Sequence, residues 1–186
     1  SCSSTSTEYR SAKTYVSQRD YNKAEEIALQ GIKNNPDDAL MPYYLALNIY
    51  GASNSIKKDY SKSAEFFDLA IEIDNKDEED QLLDESIIFT TNNERIELTT
   101  IKEAIAHYRS IMWAELYNEG INLFKYDKTG ILITTKEATA PAIEKLQLAT
   151  VLDPNNTTAY FMLSSVFYQM GSEYFSKSIK NADKAL

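Results

Sequence analysis

A chain of 186 residues suits one domain or one array of repeats and is long enough to bury a real core. Its 28 acidic and 19 basic residues leave a net charge of -9, which repels phosphate backbones and argues against a nucleic-acid partner. One cysteine allows no internal disulfide and no thiolate cluster for zinc, and no apolar run approaches the roughly 20 residues needed to cross a bilayer.

Residues 1–6, "SCSSTS", form a Ser/Thr-rich tether that contains Cys2. Two amphipathic helical patterns follow, "STEYRSAKTYVSQ" and "DYNKAEEIALQGIKNNPDDA", with apolar or small residues three and four apart. Pro36 stops the second, because proline cannot continue a helix. The pattern returns as "LMPYYLALNIYG" and "DYSKSAEFFDLAIEIDNKDE", the latter aligning without a gap when Asp59 is set against Asp20.

Residues 76–112 fit neither pattern, although "QLLDESIIF" and "IKEAIAHYRSIMW" both read as helix. The region is expected to be a degenerate helix pair or one long helix running into the next pair. Its acidic run "DEED" lacks the alternating oxygen ligands and the glycine of a calcium loop, and reads as a solvated helix start. His107 has no second histidine with which to share a metal and reads as a structural helix residue.

From Trp113 the pairing resumes with "AELYNEGINLFK" and "APAIEKLQLATVLDPNNT", separated by an insertion around "YDKTGILITT" and stopped at Pro154. A last pair opens with "TAYFMLSSVFYQMG", and its second helix runs to Leu186. Small residues recur at matching places: Ala12, Ala24 and Gly31; Ala46, Ser63 and Ala70; Gly120, Ala142 and Ala149; Ser164 and Gly171. This ordered set resembles the tetratricopeptide repeat family, whose unit is a helix pair of about 34 residues. The resemblance implies an all-α, right-handed superhelix of stacked antiparallel helix pairs. Residues 7–75 would hold repeats one and two, 76–112 an irregular helical insertion, and 113–186 repeats three and four, the last of them incomplete. Small residues would then lie where backbones approach closely, and stacking would bury faces that no single pair can bury.

The family's usual work is protein binding in a concave groove lined by the first helix of each pair. Carried onto this chain, the lining is Tyr9, Tyr43, Tyr117 and Phe161, then Leu47 and Ile121, then Tyr50, Phe124 and Tyr168. Chaperone-binding members hold a terminal carboxylate with lysine and asparagine where this chain has Tyr9 and Lys13, or Tyr43 and Leu47, so no carboxylate clamp is expected. No catalytic constellation, metal spacing or glycine-rich phosphate loop stands in the sequence. The expectation is a non-enzymatic scaffold, without cofactor or metal, that binds another protein. The alternative is a structural subunit that stacks head to tail into an extracellular filament. Its contact would join Ala12 and Tyr15 of one copy to Ala182, Ala185 and Leu186 of the next.

Cys2, between a small residue and the tether, resembles the mature start of a bacterial lipoprotein. That implies a lipid on Cys2 as the membrane attachment and a cell-envelope or extracellular location, with the cytoplasm as the alternative. Asn155 and Asn156 stand in overlapping acceptor triplets for N-glycosylation, a hint of an exterior surface.

Overall fold

A computed structural model describes residues 6–185, without the side chains of Glu173 and Phe175. Cys2 and Leu186 therefore lie outside the described residues. The chain divides into two compact units, Ser1–Tyr108 and Arg109–Leu186.

In the first unit, α1 (Thr7–Ser17) and α2 (Tyr21–Asn34) form a helical hairpin. Ser6 caps α1 by accepting from the Tyr9 amide, and Asp20 caps α2 by accepting from that of Lys23, so each helix starts where a side-chain oxygen satisfies a free N–H. Ala12, Ala24 and Ala28 are fully buried between them. Next come α3 (Leu40–Leu45), a π-helical turn at Ala46–Tyr50, and α4 (Tyr60–Asp74). The Ala46 carbonyl accepts from the Gly51 amide at 2.8 Å and from the Ser63 hydroxyl at 2.9 Å, so this carbonyl of the widened turn is satisfied twice. Phe67 and Ala70 of α4 are fully buried beneath α3.

The segment that follows corrects the expectation of an all-α chain. β1 (Leu82–Thr91) and β2 (Glu94–Thr100) form an antiparallel hairpin where "QLLDESIIF" was expected to be helical. Asn92 and Asn93 make the turn with φ of 49° and 65°, left-handed values that match the twist of paired strands. Ile87 pairs with Leu98 and Phe89 with Ile96, an apolar alternation of period two. The Phe89 ring stacks on His107 at 4.3 Å, which gives that histidine its packing role. α5 (Ile101–Asn122) then follows, and the boundary between the units falls inside it. The helix expected over "IKEAIAHYRSIMW" is thus present, and it continues through the start of the third pair.

The second unit holds the end of α5 with α6 (Lys136–Leu152), α7 (Thr157–Gln169) and α8 (Phe175–Ala185). Phe124, Ala142, Leu146, Leu163, Val166 and Phe167 make its core. A side chain at Gly120 would meet Leu146 at 3.0 Å and the Ala142 carbonyl at 3.3 Å, so α5 and α6 touch where glycine stands. At the next pair the Ser178 hydroxyl donates to the Ser164 carbonyl at 3.0 Å. Small or hydrogen-bonded residues thus sit at several helix crossings. Within the described residues the protein is mostly helical, with one two-stranded sheet.

Candidate functional site

The residues expected to line a groove meet different fates in the two units. In the first, Tyr9, Tyr43 and Tyr50 are 5%, 5% and 2% exposed, and Leu47 is half-buried. These aromatics are core rather than an open wall, and part of the reason is the hairpin. Lys13 Nζ pairs with Asp84 Oδ2 at 2.9 Å and lies 3.7 Å from Glu85, which brings β1 across α1. A recess of 240 Å³ remains there, lined by Tyr9, Tyr43, Tyr44, Asn48, Leu83 and Tyr108 among others.

The electrostatics of the recess follow from its burial. Desolvation, then the nearby Asp84, pushes the Tyr9 hydroxyl far above its ordinary pKa; desolvation does the same for Tyr43 and raises Tyr44 to about 12. Burial also raises Tyr50, whose hydroxyl donates to Glu25 Oε1. Burial works on Glu25 in the same direction, yet hydrogen bonds from Lys57 and Tyr50 win and hold its carboxyl below the usual range. Three tyrosines kept neutral by burial are suited to packing and hydrogen bonding, not to proton transfer near neutral pH.

In the second unit α7 buries Tyr160 and Phe167 and exposes two other aromatics. Phe161 and Tyr168 are 66% and 67% exposed, two turns apart and so on one helix face. Tyr117 and Ile121 are half-buried against the core, Phe124 is buried in it, and Trp113 stacks on Tyr117 at 4.9 Å.

The residues expected at an end-to-end contact are also placed unevenly. Ala12 is fully buried between α1 and α2, which corrects its assignment to an exposed end; Tyr15, Ala182 and Ala185 are half-buried. Asn155 is exposed, and Asn156 caps α7 by accepting from the Thr158 amide at 3.2 Å. No group of three or more His, Cys, Asp or Glu side chains suited to a metal occurs among the described residues, and no described helix is long and apolar enough to cross a membrane.

One arrangement escaped the sequence reading. Lys177, Lys180 and Lys184 of α8 line a hollow of 280 Å³ against α6 and α7. Their spacing on one helix face was visible, but the apolar floor beneath them comes from α7, which only the fold supplies. Comparison with protein-family models and with curated proteins finds no match.

Proposed function

We propose that the chain is a non-enzymatic protein-interaction module of the tetratricopeptide type, whose partner-binding surface is the aromatic face of α7. The observation that carries this is the exposure of Phe161 and Tyr168 on one face of α7, in a unit whose core is made by other residues. Scattered exposed apolar residues need no explanation, whereas two large rings aligned on one solvent-facing helix side are what a docking helix or strand covers. The small residues at several helix crossings support the repeat architecture.

A photo-crosslinking residue placed at Phe161 or Tyr168 in the native host tests this reading. A discrete adduct with a different protein, lost on Ile121→Asp but kept on Lys33→Ala, is expected. Adducts with other copies of this chain alone would favour the head-to-tail subunit, and no adduct from either site would overturn the surface.

A further inference from the structure

The second unit carries another surface, formed by α6 and α8. Two adjoining hollows of 280 Å³ and 250 Å³ share Gln147, Phe167 and Lys177. Their floor is apolar, with Tyr160, Leu163 and Phe167 at 6%, 1% and 3% exposure. Their rim is basic: Lys136 on α6 and Lys177, Lys180 and Lys184 on α8, with Glu144 the one acid among the lining residues. Lys177 lies over the rings of Phe167 and Tyr174 at 5.7 Å and 5.4 Å, and Lys184 over Tyr160 at 5.3 Å. Lys177 and Lys184 thus rest on aromatic faces.

The charge that would complement this rim is on the same chain. Residues 1–108 hold twenty acidic and eleven basic side chains, whereas 109–186 hold eight of each, so the whole net charge of -9 falls on the first unit. Within that unit the run Asp77, Glu78, Glu79, Asp80 is exposed, and Leu82 nearby is 65% exposed. Asp77 accepts from Gln81 Nε2, and Asp80 pairs with Lys102, which leaves Glu78 and Glu79 as the outward acids. Gln81 holds the segment in place: its amide donates to Asp74, its side-chain oxygen accepts from the Ala39 amide, and its side-chain nitrogen donates to the Asp37 carbonyl. A segment fixed in this way loses little further freedom on docking.

We infer that the α6–α8 groove receives the segment Glu78–Leu82 of a second copy of this chain, with Glu78 and Glu79 against Lys180 and Lys184 and Leu82 over the apolar floor. The floor favours a polypeptide over a free phosphate, which has no apolar group to bury there, and the net charge of -9 repels nucleic acid. Donor and acceptor surfaces differ, so the contact is heterologous and propagates into open chains rather than closing a dimer. This inference does not depend on the aromatic face of α7.

Sedimentation velocity on the pure chain over rising concentration tests it, with three variants: Lys180→Glu with Lys184→Glu, Glu78→Lys with Glu79→Lys, and all four together. Every substituted side chain is exposed, and circular dichroism checks that each variant is folded. Expected are concentration-dependent species that weaken as salt rises from about 0.05 M to about 0.5 M. Each double reversal should weaken association at least about tenfold, and the fourfold variant should regain most of it. A chain that stays monomeric to about 1 mM at low salt overturns the inference. So does association that ignores the reversals, or a folded fourfold variant that fails to recover.

Discussion

Replacing Gly120 with alanine separates two opposed effects whose balance the packing decides. Gly120 lies inside α5, where alanine is normally worth about 1 kcal/mol of added helix stability. Here the new methyl would sit 3.0 Å from Leu146 Cγ, 3.2 Å from its Cδ2 and 3.3 Å from the Ala142 carbonyl. Leu146 and Ala142 are both 0% exposed, so neither has solvent to move into, and the carbonyl is backbone. Overpacking of this kind costs roughly 1–3 kcal/mol, which leaves a net loss of about 0–2 kcal/mol after the propensity gain. At roughly 4–8 °C per kcal/mol for a unit this small, Gly120→Ala should melt several degrees below the parent by circular dichroism. Leu146→Ala alone should cost about 2–5 kcal/mol, and clearly less in the Gly120→Ala background, because it removes the clash. A stabilised Gly120→Ala protein, or strictly additive double substitution, would refute the close approach of α5 and α6.

Lys102 Nζ pairs at 3.0 Å with Asp74, which is 0% exposed, so Lys102→Met strands a buried carboxylate and should cost about 2–4 kcal/mol in urea unfolding. Lys13→Met breaks the exposed pair with Asp84, whose lysine is 41% exposed, and should cost under about 1 kcal/mol; equal costs would contradict the burial argument. Tyr44 is raised to about 12 whereas an unfolded tyrosine ionises near about 10. Below about pH 10 it is protonated in both states, and from there to about pH 12 only the unfolded chain loses the proton, so this contribution is lost as pH rises through that window. Phenolate absorbance should therefore show a late-titrating class that coincides with alkaline unfolding, and a single uniform transition near pH 10 without loss of helix would count against it.

What could be read in the sequence divides along the range of the interactions involved. The helix pairs were legible because close helix approach imposes small residues at fixed spacing, and Ala12, Ala24, Ala70, Ala142 and Ala149 are all fully buried. Capping was legible for the same local reason, with Asp20 and Asp59 opening α2 and α4. The hairpin was misread because the apolar residues of "QLLDESIIF" also fit a short helix face, and such runs are ambiguous when taken alone. Its signal lay in the partner strand: Ile96 and Leu98 alternate, and adjacent asparagines precede them. The burial of Tyr9 and Tyr43 was beyond reach, since it depends on partners far away in sequence, Tyr44 for Tyr9 and Phe67 for Tyr43.

The hairpin also decides which surface is open without rearrangement. Its base is held firmly: Gln81 bonds to Asp74, Ala39 and Asp37, the Ile101 amide donates to the Gln81 carbonyl, and Phe89 stacks on His107. The portion of β1 over α1 is held more loosely. Its ladder register breaks between Leu82 and Ile87, and its ion pair to Lys13 is an exposed one, worth about 1 kcal/mol at most. Segments with few buried contacts open locally at a fraction of the global unfolding energy. A partner that contacts more of Tyr9 and Tyr43 than the existing recess exposes must first displace this strand, and its affinity is lowered by that opening energy. Phe161 and Tyr168 are 66% and 67% exposed as they stand, which favours the proposed face of α7 over the recess.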